Sequence, residues 1–567
     1  MPNLPTDQLS NILTKAAVQE SILALIPDFK AVDAAANLIE LGLDSMQMMR
    51  LVNQWRKCGA KVTFAELIEQ PTLASWYEKL LVDVKSNQSK PSGEVVQNLA
   101  QVLDGKPFPL TDVQYAYWFG RDDNQDLGGV GCHAYIELDG INVSPEKLEK
   151  SWHVLLKQHS MLRARFNQDG QQVIHPEASK PQLVTHDFTM LLEKDVEKQT
   201  LKIRNRLSHR KLDVTNGQVL SLELSKLPNN KTRIHFDIDL LVADVHSLHI
   251  ILRDLASAYR NPQVNETIAN WRFGDYLAIE ASRNVKELEE DKNYWIGRLS
   301  ELPAGPQIPL IKDPSTINKP KFTRRTQLIN TSTWQSIKRQ AALQKVTPAM
   351  VLVTAYAETL SRWSSEQKFV LNIPLFDRKT DHKDIENVVA DFTNLLLLEC
   401  DCQEPKNFSA RARQIQAQFH VDVAHSSFSA VNIQRELVKK GISKGVSAPV
   451  VFACNLGTEI VTEECKQTLG SFSYMISQTP QVWLDHQVYE VDDGLLLAWD
   501  SVDELFPEQL IDIMFMAYVS VLESLGTESD TWTAPLELSL PQHQQQVRRE
   551  ANKTEKQIAP SVLHQGL

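Results

Sequence analysis

The chain has 567 residues, 42% of them hydrophobic and 23% charged, with a net charge of −12. At roughly 100–200 residues per domain this length implies several folding units, and the acidic balance argues against a nucleic-acid footprint. Six cysteines are too sparse for a disulfide scaffold. Cys400 and Cys402 have no ligand-spaced His or second Cys pair beside them, so no metal site is expected. No apolar run approaches the roughly 20 residues of a membrane span, and the N-terminus lacks a basic stretch followed by an apolar core. The reading is a soluble, cytoplasmic, multidomain chain.

Residues 8–82 form the first unit. Ile12, Leu13, Ala16, Ala17, Leu23 and Ile26 recur at helical spacing, and Pro27 stops that helix. After a loop through Leu41-Gly42-Leu43, a second helix carries Met46, Met49, Val52 and Trp55 on one face and closes at Gly59. Thr63 with Glu66 spells a capping box before a short third helix, and Thr72 caps a fourth that ends near Leu81. Residues 83–106 read as a linker, since Lys85-Ser86-Asn87-Gln88-Ser89-Lys90-Pro91-Ser92-Gly93 cannot bury a core. From residue 107 to 545 the pattern is mixed α/β without a solenoid repeat. One apolar β-rich core includes residues 234–242. The other includes 369–373, 395–398, 450–452 and 495–499. This suggests two α/β lobes, at about 107–280 and 281–545. Residues 546–567 are polar and read as a second linker.

Two places carry chemistry. Ser45, beside Asp44, lies where a loop meets a helix N-terminus. The first N–H groups of that helix are unpaired and lie at the positive end of its dipole. Further on, Ile234, Phe236 and Ile238 alternate as a strand, and Leu248, Ile251, Leu252 and Leu255 follow as a helix. Asp239, Asp244 and Ser247 surround that junction, where buried carboxylates are costly unless paired. Asp244 is expected to pair with Arg378, from Pro374-Leu375-Phe376-Asp377-Arg378, and Ser247 to cap the helix. His235 is expected to be an ordinary strand residue. His246 and His249 are expected to lie on a partly exposed helix face.

The segment Leu41-Gly42-Leu43-Asp44-Ser45-Met46 resembles the phosphopantetheine attachment site of carrier proteins. The junction spacing D-x-x-x-x-D-x-x-S resembles the signature of heterocyclization domains, relatives of condensation domains. The His-His pair of amide-forming condensation domains is missing. Further motifs follow in family order. They are Phe108-Pro109-Leu110-Thr111-Asp112-Val113-Gln114-Tyr115-Ala116-Tyr117-Trp118-Phe119-Gly120-Arg121, His159-Ser160-Met161-Leu162-Arg163, Leu302-Pro303 through Pro309-Leu310, Thr347-Pro348 through Leu360-Ser361-Arg362-Trp363, Ala390-Asp391-Phe392-Thr393-Asn394-Leu395, Ala448-Pro449-Val450-Val451-Phe452, and Ser477-Gln478-Thr479-Pro480 running on to Asp485. The chain is similar to the opening part of nonribosomal peptide synthetases of the yersiniabactin and pyochelin siderophore type.

The resemblance implies an all-α four-helix aryl carrier domain followed by an α/β domain of two chloramphenicol-acetyltransferase-like lobes with a tunnel between them. It implies 4'-phosphopantetheine on Ser45. It also implies an aryl group, salicyl or dihydroxybenzoyl, that is condensed with a carrier-bound cysteine, serine or threonine and cyclodehydrated to a thiazoline or oxazoline. The implied partners are a phosphopantetheinyl transferase, an aryl-acid adenylating enzyme in trans, and downstream cysteinyl carrier and adenylation domains. Asp485 matches the family's acidic residue for ring closure. The family's companion threonine falls at Ala453, next to Cys454, which leaves Thr393 or Thr479 to supply a hydroxyl. Amide formation alone, or a non-catalytic carrier scaffold, are the alternatives.

Overall fold

The computed structural model describes residues 105–534, apart from 262–270, 283–284, 377, 379–383, 405 and 444–447, together with parts of residues 14–86. In the N-terminal part, the helices Lys15–Leu23 and Leu73–Ser86 join Leu38, Leu43, Leu51, Trp55 and Leu67 in one small apolar core. The Trp55 and Trp76 rings meet edge to face with centroids 5.7 Å apart, and the Trp76 indole N–H donates to the Leu67 carbonyl at 2.7 Å. Thr72 starts the last helix by accepting the Ser75 N–H at 3.2 Å. That helix continues past Leu81 to Ser86, into the stretch expected to be linker. No glycine or proline interrupts it before Pro91, so nothing local ends it at 81. Ser45, the Thr63–Glu66 box and the second linker lie outside the described residues.

The larger part contains the strands β1 Pro107–Pro109, β2 His133–Ile141, β3 Ala164–Phe166, β4 Gln171–Ile174, β5 Val184–Asp187, β6 Leu220–Lys226, β7 Lys231–Asp239, β8 Thr323–Asn330, β9 Lys368–Phe376, β10 Thr393–Asp401, β11 Val450–Asn455, β12 Ser471–Gln478, β13 Leu484–Val491 and β14 Gly494–Ser501. They form a five-stranded sheet in the order β12-β2-β7-β6-β5, a six-stranded sheet β10-β9-β11-β13-β14-β8, and a small sheet β1-β4-β3. The helices Pro145–Gln158 and Val245–Arg260 supply Leu148, Leu155, Leu248 and Leu252 to the core of the first large sheet. The helices Thr331–Leu343, Pro348–Trp363, Phe408–Ala424 and Leu510–Thr527 supply the core of the second. All four apolar segments assigned to the second core in the sequence, on β9, β10, β11 and β14, share the six-stranded sheet.

The lobe division near residue 280 needs one correction. Residues 460–475 pack in the first core, through Ile460, Val461, Cys465, Leu469 and Met475. β12 then adds to the edge of the first sheet, antiparallel to β2. An edge strand's free N–H and C=O groups need partners, and β2 receives them from a segment more than 300 residues away in sequence. Residues 385–392 likewise give Ile385, Val388, Val389 and Phe392 to the first core.

The helix Leu510–Thr527 is, among the described residues, the one long and apolar enough to cross a membrane, although no such run was expected. Its Met514, Tyr518 and Leu522 are buried in the second core, so the apolar face is spent on packing.

Candidate active site between the lobes

Strand alternation builds the site. On β11, Val451, Ala453 and Asn455 face one way. On β13, paired in parallel register Val451↔Asp485, Ala453↔Gln487 and Asn455↔Tyr489, the facing residues are Asp485, Gln487 and Tyr489. These line a cavity of about 110 Å³ together with Asn372 of β9, Thr393 of β10, Ser477 of β12, and Thr479, Asp391 and Asp244. The wall therefore combines the junction of the first lobe with the face of the second sheet.

Asp485 is 6% exposed. Its Oδ2 accepts hydrogen bonds from Gln487 Nε2 at 2.6 Å and from the Ser477 hydroxyl at 3.1 Å, while Oδ1 has no partner. Burial pushes the carboxyl up to about 6, helped by the Asp500 carboxylate paired opposite it, and opposed by the Gln487 and Ser477 bonds and by Arg324. Arg324 holds Asp500 in a two-pronged pair, at 2.7 and 2.5 Å, and also donates to Gln487 Oε1 at 2.9 Å. Tyr489 donates to the same Gln487 oxygen at 2.7 Å. The amide is thus locked with its N–H groups toward Asp485 and Ser477.

The neighbouring His486 is not part of this site. A one-residue step along a strand reverses the face. His486 is buried among Tyr356, Trp499 and Tyr518, where burial lowers it to about 3. Cys454 alternates away from the cavity for the same reason.

Asp244 is the N-cap of the helix Val245–Arg260, accepting the Ser247 N–H at 2.6 Å. Its carboxylate pairs with Arg378 at 3.1 Å. Arg378 also donates to the Ile385 and Val388 carbonyls at 2.8 and 2.7 Å and to the Ser247 hydroxyl at 3.2 Å. Ser247 does not accept the cap bond. Its hydroxyl instead donates to the Ala390 carbonyl at 2.7 Å and accepts the Ala390 N–H at 3.1 Å, which ties the first helix to the segment entering β10. Asp239 lies behind the cavity wall, buried and paired with Arg121, and accepts the Leu241 N–H at 3.2 Å. Arg121 belongs to the first motif region, and no spacing signal linked it to Asp239.

Thr393 and Thr479 both line the cavity, but the hydroxyl within hydrogen-bond distance of Asp485 is that of Ser477. The position opposite Gln487 is Ala453, which brings only a methyl group. Two further residues escaped the sequence reading. Asn455 is 2% exposed with both its amide atoms unpartnered, and Asn372 has an unpartnered carbonyl oxygen. His235 is a buried strand residue, held by Tyr135 and Ser225 at 2.7 and 2.8 Å. His246 and His249 donate to the Glu386 and Glu459 carbonyls.

A two-lobed α/β body, with a cavity between its sheets and a helical unit ahead of it, defines the class. The chain belongs to the condensation-domain family: residues 106–547 match the Condensation domain, and residues 20–80 match the Phosphopantetheine attachment site. It has the arrangement of a nonribosomal peptide synthetase carrier followed by a condensation-type domain. It is 37% identical over 561 residues to pyochelin synthetase PchE of Pseudomonas aeruginosa, covering 99% of this chain and 38% of that protein. It is 34% identical over 565 residues to phenyloxazoline synthase MbtB of Mycolicibacterium paratuberculosis, covering 96% and 47%. The chain thus spans less than half the length of these curated relatives. Among solved structures, the EpoB cyclization-docking bidomain from Sorangium cellulosum is 33% identical with a TM-score of 0.68, covering 79% of this chain and 91% of that one.

The attachment-site match makes covalently bound 4'-phosphopantetheine the cofactor. A serine hydroxyl fits its phosphodiester, and the buried Leu43 and Met48 flank the Ser45 position in sequence. The group supplies a thiol on a long arm that holds an acyl unit.

Proposed function

We propose that the chain carries an aryl acid through Ser45, joins it to the amine of a cysteinyl unit on a downstream carrier, and closes the resulting amide to a thiazoline. The aryl class follows the likeness to the phenyloxazoline and pyochelin synthetases, and cysteine is preferred to serine or threonine on the same likeness. The observation that carries the reading is Asp485. It is a buried carboxyl with one open oxygen in the inter-lobe cavity, raised into the range where it can exchange protons near neutrality. Its neighbours Ser477 and Gln487 orient it, while Asn455 and Asn372 offer open donors and acceptors to an amide. Asp239, Asp244, Ser247 and Arg378 hold the walls in register. The carrier is a four-helix domain over 8–82, reached through the linker 83–106, and the condensation-type part spans 107–545. A phosphopantetheinyl transferase, an aryl-acid adenylating enzyme and downstream cysteinyl carrier and adenylation domains complete the assembly.

The test supplies the holo chain, an aryl-acid adenylating enzyme and a cysteinyl carrier, and weighs the product on the carrier. A gain of the aryl acyl mass followed by loss of one water supports the reading. A gain without loss of water leaves amide formation alone, and no gain leaves a carrier scaffold.

A further inference from the structure

Among the described residues, a second carboxyl in the cavity is left without a charge partner. Asp391 lies just before β10, is 1% exposed and lines the same cavity as Asp485. Its Oδ1 accepts the Thr393 N–H at 3.0 Å, and its Oδ2 has no partner. The charge that acts on it is that of Asp244, which is of the same sign. Arg378, of the segment leading to it, stacks on the Phe392 ring at 4.2 Å and spends its donors on Asp244, Ser247 and two carbonyls. Among the described residues no lysine or arginine pairs with Asp391. A carboxyl in that position avoids the cost of a buried unpaired charge by keeping its proton, and burial indeed pushes it up to about 8.

We propose that Asp391 is the proton donor of ring closure, working against Asp485 as the base. This rests on the heterocyclizing reading above and names the second half of its acid–base pair. In the first step the cysteinyl thiol gives its proton to the Asp485 carboxylate and its sulfur bonds to the amide carbon. The carbonyl π pair moves to oxygen, which takes the Asp391 proton. In the second step the carbon–oxygen bond breaks, and the leaving hydroxyl takes the proton from Asp485 and departs as water. The ring nitrogen gives its proton to Asp391, and its electron pair completes the C=N bond. The sum is amide plus thiol to thiazoline plus one water, and both carboxyls return to their starting states. Two carboxyls whose surroundings separate their proton affinities are the recurrent device for holding one acid and one base in a single site. With only a methyl group at Ala453, the wall opposite Gln487 offers no proton of its own.

Other titratable groups face the pair. Tyr117 and Cys132 lie near both carboxyls, and Tyr356, Tyr489, Asp500 and Arg324 lie near Asp485. Burial drives the Tyr117, Tyr356, Tyr489 and Cys132 protons further from release, so none of these competes near neutrality.

The experiment follows amide formation and water loss separately, by mass spectrometry of the downstream carrier in single turnovers of the holo chain, across roughly pH 5–9.5. In the unmodified protein, ring closure is expected to be bell-shaped, falling below about 6 and above about 8, the values set by Asp485 and Asp391. Asp391→Asn keeps the shape and the acceptor for the Thr393 N–H but has no proton to release. It is expected to abolish the alkaline limb and to lower the ratio of ring closure to amide formation by about 10²-fold, with an unchanged melting temperature. An alkaline limb that persists in Asp391→Asn, or an unchanged ratio, overturns the proposal. Should the variant fail to fold, the unmodified profile decides: a flat alkaline side, normalised to amide formation in the same tube, overturns it equally. A protein that closes no ring at any pH sinks the heterocyclizing reading itself, which is a different result from ring closure without the limb.

Discussion

At Asp485, one side chain combines a fixed carboxylate oxygen, bound by Gln487 and Ser477, with an open one in the cavity. In the proposed ring closure it serves as the base, so it must be ionised, and the rate is expected to fall as pH drops through about 6. Asp485→Asn removes the titrating group at constant shape. It is expected to slow water loss by about 10²–10⁴-fold while an uncyclized aryl-cysteinyl amide accumulates on the carrier, detected by mass. Loss of both steps in a well-folded variant would contradict this. Ser477→Ala gives a finer test. The Ser477 hydrogen bond favours the charged carboxylate, so its loss moves the acid limb of ring closure to higher pH, and a limb that stays put or moves down counts against the contact.

At the scale of elements, the strand–turn–helix junction depends on Asp244. It caps the helix Val245–Arg260 and neutralises the buried Arg378, which itself holds the Ile385 and Val388 carbonyls. Asp244→Ala leaves an uncompensated buried guanidinium, at roughly 3–5 kcal/mol. A lowered melting temperature with loss of both amide formation and ring closure is expected from calorimetry and product analysis. A variant that melts normally and loses only ring closure would place Asp244 in the chemistry instead. The β12 crossover has its own weak point at Gly470, whose φ of +130° is one that side chains rarely adopt, and whose added Cβ would meet the Asp139 carbonyl carbon at 2.4 Å. Gly470→Ala is expected to loosen β12 from β2. Because β12 also brings Ser477 to Asp485, ring closure should suffer along with thermal stability.

On the scale of the whole molecule, the two cores are interlocked by residues 385–392 and 460–478. Residues 107–280 expressed alone would lack β12 and expose the β2 edge, so they are expected to aggregate, and a soluble, cooperatively melting fragment would contradict the interlock. The carrier stands apart from this core in its function. Coenzyme A and a phosphopantetheinyl transferase are expected to add one phosphopantetheine mass to the chain and none to Ser45→Ala. Persistence of that mass in the variant would move the attachment point.

Local pattern was enough for several features of this protein. Alternation marked β7, and nearly continuous apolar runs marked β9, β10, β11 and β14, because burial on both faces leaves no polar side. The Asp244 junction and its need for a cation were legible because a buried carboxylate is costly wherever it sits. The helix ending at Ser86 was misplaced by a few residues, because composition marks where a core stops and not where a backbone ladder does. What tertiary structure alone decided was which polar groups meet. Ser477 reaches Asp485 only because β12 leaves one sheet for the other. Arg121 finds Asp239 across 118 residues of chain. Asp391, in sequence one letter of a motif, shares a cavity with Asp485 and has no cation partner among the described residues. Hydrophobic periodicity is a local property of the chain, whereas charge pairing depends on distances that exist only after distant strands have been placed side by side.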